Sequence, residues 1–246
     1  MALKASPSDQ ALLLDLQAVD TKLRQLEYKA KSLPQHATIA SLTSEIDALR
    51  ATELERRGAR EDVTIELSRL ESDVKVVEAR IARDNERAQA SSSAKDAQAF
   101  EHELVSLRKR QFDLEEIELT VMEKLEERDA ALAETQSALE ALRAQIAELE
   151  AARDAELKVI VDEQKHTAAN RSTIASKVPA DLLALYEKQQ SRYGTGASLL
   201  RGGVSGANGV RLLENELVAI RAAAPDDVLI CPSSDAILVR TAESGL

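Results

Sequence analysis

The sequence AQASSSAKD, residues 88–96, interrupts two long segments of regularly spaced apolar residues. After it, eighteen positions follow at alternating spacings of four and three, from Phe100 to Ile160, and twelve of them are apolar. Such a repeat predicts a long coiled-coil helix. Ser93 can cap that helix, and Asp96 three residues later is favourable near the positive helix end. We therefore predict that a turn at 88–96 separates two helical arms.

The arm before this turn carries a matching repeat. Ser6-Pro7 is a helix-start signal, because a hydroxyl N-cap precedes a proline at the first helical position. The repeat is interrupted at Leu33-Pro34, where proline cannot donate the helical hydrogen bond, and it resumes at Ile39. We therefore predict a break at 33–34 and a second helix that runs to the serine-rich turn.

Folding the chain about the serine-rich turn brings the two repeats into register. An antiparallel hairpin pairs residues whose numbers add up to about 185, so that Ile46 faces Leu139. The polar stretch 50–62 then faces the mixed stretch 123–135. The alternative is a parallel dimer of long helices, which leaves the serine turn and the proline without a purpose. The repeat thus favours a mainly α fold built on a long antiparallel coiled-coil hairpin.

Composition supports long helices and restricts the possible partners. The chain is 30% charged and 2% aromatic, with 8 Gly and 5 Pro. Its net charge of −11 lies before residue 171, because residues 171–246 hold eight basic and eight acidic side chains. An acidic coiled coil repels phosphate backbones and is expected to offer partners little apolar surface. A single cysteine, the absence of a signal-like start and the lack of a membrane-length apolar run predict a cytoplasmic protein with no membrane partner.

The C-terminal segment predicts a small β-rich module, so we place one domain at 1–176 and a second at 177–246. Val178-Pro179 ends the long helix, and Gly194 ends a short amphipathic one. The predicted elements are a helix at 180–193, extended runs at 197–200 and 210–213, a helix at 214–221, and a hairpin of 228–231 with 236–240. The predicted core of this module is Leu212, Leu213, Leu217, Ile220, Val228, Ile230, Ile237 and Val239.

Four stretches of the chain together resemble a bacterial family that has a coiled-coil hairpin followed by a C-terminal C4-type zinc ribbon. The most specific is the last, ELVAIRAAAPDDVLICPSSDAILVR at 216–240; the others are LPQHATIASL at 33–42, KDAQAFEHELVSLRKRQFDLEE at 95–116 and VPADLLALYE at 178–187. In that family two Cys-x-x-Cys knuckles supply the zinc ligands. The resemblance places the four ligand positions at Ser205, Asn208, Cys231 and Ser234.

Three of the four implied ligands are therefore missing. Structural zinc takes four Cys or His donors, and serine hydroxyls and an asparagine amide are poor substitutes. The three histidines, His36, His102 and His166, all lie on the predicted coiled coil. We predict a zinc-ribbon-like module without metal or other cofactor, in which Cys231 is a remnant and apolar packing replaces the metal.

Catalytic motifs are weak. The glycine-rich stretch GGVSGANG at 202–209 lacks the lysine of a phosphate-binding loop, and Cys231 has no histidine in the module to activate it. The sequence therefore favours a protein that is not an enzyme.

The resemblance implies two functions. Some members of the family bind an alternative sigma factor or affect flagellar regulation, and nucleic-acid binding has been proposed for others. The first is a protein-binding adapter, possible as a monomer or a homodimer, whose module could also accept a β-strand at its sheet edges. The alternative is RNA or DNA binding through the module, although its neutral charge and scarce aromatics argue against this. Candidate contact residues are Ser92, Ser93 and Lys95 at the turn, and Lys188, Arg192, Arg201, Arg211 and Arg221 in the module.

Overall fold

The computed structural model describes residues 3–245 and contains three long helices, α1 (Pro7–Lys31), α2 (Pro34–Ala90) and α3 (Ala94–Ala175). Packing divides the chain into two compact units. One, here called the hairpin unit, is Gln35–Ala151. The other, here called the terminal unit, combines the described residues up to Pro34 with those from Ala152 onward.

The hairpin unit is the predicted antiparallel pair of helices, so the alternative of a parallel dimer of long helices does not apply. Residues 91–93 connect α2 to α3, within the predicted turn. Hydrogen bonds cross between the helices from Arg80 to Glu103 at 2.6 Å and from Arg60 to Asp129 at 2.7 Å. The residue numbers of these pairs add up to 183 and 189, close to the predicted register.

Apolar rungs form the core of the hairpin unit, and a polar layer interrupts them. Buried rungs include Ile46, Val74, Leu104, Leu114, Val121 and Leu139. Within the polar stretch of α2, the Arg56 guanidinium donates to the Ala131 carbonyl and, at 2.5 Å, to the buried Thr135 hydroxyl. Arg128, a polar position of the repeat in α3, is exposed.

The terminal unit contains the β-rich module and both ends of the described chain. After α3 come α4 (Ala180–Tyr193), β1 (Ala197–Arg201), β2 (Val204–Ser205), α5 (Glu214–Ala222), β3 (Leu229–Ile230), β4 (Ile237–Val239) and a 3-10 turn (Ala242–Ser244). Gly194 ends α4 in the left-handed conformation, which glycine adopts without steric cost.

The four strands form one sheet in the order β2-β1-β4-β3. The predicted hairpin of β3 with β4 is confirmed, with Leu229 opposite Leu238. The second extended run, 210–213, was predicted wrongly: only Arg211 bridges to Val204, while the strand that pairs with β1 is β2. The sequence also gave no sign that β1 pairs with β4 in parallel.

The core of the terminal unit is built from both of its chain segments. Leu13 and Leu16 of α1 are fully buried against Tyr186 of α4 and Ile237 of β4. A second cluster holds Leu200, Leu212, Leu217, Ile220, Cys231 and Leu238. Two residues of the predicted core are exposed, Leu213 at 65% and Ile230 at 38%. The boundary between 176 and 177 stays a prediction, but the packing joins α1 to the module.

None of the helices within residues 3–245 combines the length and the apolar character needed to cross a membrane.

Candidate functional site

The two turns that correspond to the implied zinc knuckles meet in the terminal unit. The Cys231 thiol lies 3.4 Å from the Ser205 hydroxyl and 3.3 Å from the Ser233 hydroxyl, and Cys231 and Ser205 are completely buried. Backbone hydrogen bonds close each turn. Gly209 N donates to Ser205 O at 2.9 Å, and Asp235 N donates to Cys231 O at 2.9 Å. The two turns therefore meet around one buried sulfur atom.

The other two implied positions, Asn208 and Ser234, also lie at this junction of the two turns. The Asn208 amide donates to the Ser233 carbonyl at 3.3 Å and reaches the Ser233 hydroxyl at 3.2 Å, which links the two turns. The buried Ser234 hydroxyl lies close enough to the Cys231 thiol to lower its pKa, together with Ser205 and Ser233. The contact of the Asn208 amide with Ser233 thus joins the two turns, at the place where the family resemblance implied a metal.

This donor set does not fit structural zinc. It offers one thiol with hydroxyl and amide groups, whereas such sites use four Cys or His ligands. Within residues 3–245 no group of three or more His, Cys, Asp or Glu side chains could hold a metal ion. Burial by itself raises the pKa of the Cys231 thiol, but the neighbouring serine hydroxyls outweigh this effect, so its pKa lies below the ordinary value. The hydroxyls therefore favour the thiolate form of Cys231.

The basic candidates of the module lie on several elements. Lys188 and Arg192 are exposed one turn apart on α4, and Arg211 is exposed in the loop before α5. Arg201 lies 3.7 Å from Glu243, and Arg221 lies 2.9 Å from Glu214. Two of the five basic side chains therefore have carboxylate partners, which reduces the positive potential available to nucleic acid.

The candidates at the turn of the hairpin unit have different roles. The Ser93 hydroxyl accepts from Asp96 N at 3.4 Å, so Ser93 acts as the predicted helix cap. Ser92 and Lys95 are exposed. Only these two of the three predicted residues are therefore available to a partner.

The sheet edges are more occupied than the sequence suggested. Beside β3, Ala5 N donates to Asp226 O at 2.9 Å, and Val228 N donates to Leu3 O at 3.1 Å. Beside β2, Leu212 N donates to Gly203 O at 2.9 Å. Because neighbouring segments take these backbone groups, the expected β-strand addition is poorly supported at both places.

Exposed apolar side chains around α5 were missed by the sequence analysis. Helix α5 buries Leu217 and Ile220, while Val218 points away from them and is 56% exposed. Leu213 and Val210 precede α5 and are also exposed. We call Val210, Leu213 and Val218 the α5 apolar group. The exposure of Val218 could have been predicted, since Val218 directly follows the core position Leu217 on the helix. Leu213 lies four residues before Leu217, and this spacing predicts a core position instead.

The sequence analysis also missed the role of Arg240. A single arginine after a strand looks like an ordinary surface residue, so no pattern indicated its contacts. Its guanidinium donates to the carbonyls of Ile220 at 3.2 Å and Ala223 at 3.0 Å. It also donates to the carbonyls of Ala224 at 2.6 Å and Asp227 at 3.0 Å. Arg240 therefore binds the carbonyl end of α5, where helix carbonyls lack partners and attract positive charge.

The comparisons with known proteins agree with this architecture. The model of the CT398-like coiled coil hairpin domain matches residues 16–194. The uncharacterized proteins MT2288 and Rv2229c of Mycobacterium tuberculosis are each 35% identical over 241 residues, which is 97% of this chain and 98% of theirs.

Three solved structures are similar in fold. A structure from Mycobacterium smegmatis is 33% identical with a TM-score of 0.87, over 97% of this chain and all of that one. CT398 from Chlamydia trachomatis has a TM-score of 0.66 at 15% identity, over 95% of this chain and 98% of its own. HP0958 from Helicobacter pylori has a TM-score of 0.52 at 15% identity, over 96% and 98%. The family match and the mycobacterial relatives together show that this chain belongs to the CT398-like coiled-coil hairpin family.

Proposed function

We propose that this protein is a non-enzymatic adapter that binds another protein through the α5 apolar group. The exposure of Leu213 and Val218 carries the proposal. Large exposed apolar side chains that are close in sequence are candidates for a protein-binding surface. Their location beside a folded sheet gives a partner a fixed surface to bind.

The chemistry of the knuckle supports a binding role over a catalytic one. Cys231 is buried behind the hydroxyls of Ser205 and Ser233, so a substrate cannot reach it as a nucleophile. We propose that the module is a zinc-ribbon-like unit that keeps its two turns without metal and serves as a scaffold for α5. In this proposal the protein acts in the cytoplasm, in transcription or its regulation.

The experiment compares full-length protein with the double variant Leu213→Glu/Val218→Glu. Tagged protein is incubated with extract of the source bacterium, and bound proteins are identified by mass spectrometry. We expect a defined partner that the double variant loses by tenfold or more, because two buried charges would oppose binding. Val159→Glu is the matched control, since Val159 is 67% exposed on α3 and lies outside the α5 apolar group.

Nucleic-acid binding is the competing outcome. The same full-length proteins are titrated with single-stranded RNA and duplex DNA over a range of salt concentrations. Affinity that falls steeply with salt, and that is lost in Lys188→Glu/Arg192→Glu but kept in the α5 double variant, would replace the adapter proposal. A partner that binds the double variant as well as the parent would also contradict it.

A further inference from the structure

Helix α3 carries a second exposed apolar surface, separate from the α5 apolar group. Val105, Phe112 and Leu119 lie seven residues apart and are exposed at 66%, 58% and 62%. Residues spaced by seven share one face of a helix, so these three form a stripe roughly 20 Å long. The adjacent rung Leu104 is buried in the hairpin unit, which shows that the stripe lies off the hairpin core. The expectation that the coiled coil leaves little apolar surface was therefore wrong here.

The charged residues between Val105 and Leu119 differ between the two halves of this stripe. Arg108 and Lys109, here the basic pair, lie three or four residues from both Val105 and Phe112. Glu115 and Glu116, here the acidic pair, lie three or four residues from both Phe112 and Leu119. On a helix, residues three and four apart are neighbours, so each pair borders one half of the stripe. All four side chains are exposed, and Arg108, Lys109 and Glu116 form no ion pair with any residue from 3 to 245.

We propose that the stripe binds a second copy of this chain, with the two α3 helices antiparallel about a two-fold axis at Phe112. In that arrangement Phe112 meets the Phe112 of the second copy, and Val105 meets its Leu119. The basic pair of each copy then faces the acidic pair of the other. A parallel arrangement would instead place like charges opposite each other.

Self-complementarity is what selects a second copy over an unrelated partner. A two-fold interface requires the same patch to be complementary to itself, and a stripe with one basic half and one acidic half meets that condition. The patch is short, so the interface falls at the small end of the range, where complexes are weak and reversible. This dimer goes beyond the proposed adapter function, because it uses a different surface and does not depend on any partner of α5.

The first test is the mass of the full-length protein by sedimentation velocity, from micromolar to submillimolar concentration. We expect a reversible rise toward the mass of two chains. Phe112→Glu should raise the dissociation constant by at least tenfold, because it buries two carboxylates at the two-fold axis. Val159→Glu is the matched control and should leave the dissociation constant unchanged. A parent protein that stays at one chain throughout this range, or a dimer that Phe112→Glu leaves intact, overturns the proposal.

The second test uses charge reversal. Arg108→Glu/Lys109→Glu makes both halves of the stripe acidic, and Glu115→Lys/Glu116→Lys makes both halves basic. Each variant alone should dimerise at least tenfold more weakly than the parent, and an equimolar mixture should recover association. Variants that each dimerise like the parent contradict the proposed pairing.

The direction of the helices is tested by disulfide cross-linking. Val105→Cys mixed with Leu119→Cys should form a disulfide between copies, whereas Val105→Cys alone should form little. The native Cys231 is buried and does not compete. Efficient cross-linking of Val105→Cys to itself would show a parallel pairing and overturn the proposal.

Discussion

Tyr186 is the largest fully buried side chain of the terminal unit, and its hydroxyl forms a hydrogen bond with a charged group. Its hydroxyl donates to Asp20 at 2.8 Å, and the same carboxylate accepts from Arg171 Nε at 2.5 Å. Burial, together with the nearby Asp20 carboxylate, raises the pKa of Tyr186 well above its ordinary value. One phenol thus joins α1, the end of α3 and α4, since its ring lies in the apolar cluster that contains Leu13.

This raised pKa predicts a loss of stability at alkaline pH. The folded protein keeps the Tyr186 proton at pH values where the unfolded chain, with a tyrosine pKa of about 10, releases it. The stabilisation is therefore complete below about pH 10 and decreases as the pH rises above that value. Tyr186→Phe should lower the free energy of unfolding by about 2 kcal/mol at neutral pH. That difference from the parent should shrink above about pH 10.

Urea denaturation at several pH values measures this difference. Tyr28→Phe is the matched control, because Tyr28 is 73% exposed and its substitution removes no buried hydrogen bond. A gap between the parent and Tyr186→Phe that stays constant from neutral to strongly alkaline pH would contradict the assignment.

At the scale of elements, the attachment of α5 depends on Arg240. Helix α5 has only nine residues, too few to be stable in isolation. Its apolar side chains hold one face, and Arg240 binds the Ile220 and Ala223 carbonyls at its C-terminal end and the Ala224 and Asp227 carbonyls of the loop that follows. Arg240→Met keeps much of the side-chain volume but leaves these carbonyls without their donor. We expect the free energy of unfolding to fall by about 3 kcal/mol.

Arg221→Met provides the comparison for Arg240→Met on the same element. Arg221 forms an exposed ion pair with Glu214, and exposed pairs contribute at most about 1 kcal/mol. Thermal and urea unfolding of the two variants should therefore differ clearly. Equal losses would show that the Arg240 contacts do not hold α5.

The same contrast explains which elements could be predicted from the sequence. The helices α1 to α3 and the turn between α2 and α3 follow from local repeats, and α5 follows from the spacing of Leu217 and Ile220. Pairing of β1 with β4 and the contacts of Arg240 join residues that are distant in sequence, and no periodicity encodes them. Leu213 was misplaced for a related reason: its spacing fits the core face, but it precedes the first turn of α5, where the backbone is extended.

For the candidate site, the family resemblance predicted more of the side-chain arrangement than the chemistry of the individual residues did. It brought Ser205 and Cys231 to adjacent turns, and these two side chains are in contact. It could not show that Asn208 binds Ser233, because the resemblance assigned Asn208 only as a ligand position. The α5 apolar group was likewise outside its reach, since side-chain exposure depends on the tertiary packing.

At the scale of the whole molecule, the terminal unit needs both ends of the chain. Leu13 and Leu16 of α1 fill the cluster that also contains Tyr186, Ile237 and Val239. Gln17 adds polar contacts, since its side-chain carbonyl accepts from Gly196 N at 2.7 Å. The module itself is small, and small β-rich units rarely bury enough apolar surface to fold alone. Helix α1 therefore supplies part of the core that the module lacks.

This dependence predicts that the module cannot fold without α1. A fragment of residues 171–246 should give the NMR spectrum of an unfolded chain, because it lacks the leucines that cover Tyr186.

In the full-length protein, Leu13→Asp should unfold the module, since burial of an unpaired carboxylate adds to the loss of apolar contacts, together more than about 4 kcal/mol. Leu54→Asp is the matched control, because Leu54 is 71% exposed on α2 and should tolerate the same change within about 0.5 kcal/mol. Hydrogen exchange of the amides in β1 and β4 reports on the module directly, and fast exchange is expected only in Leu13→Asp. A fragment 171–246 with dispersed amide signals, or slow exchange in Leu13→Asp, would show that the module holds its own core and that α1 only covers it.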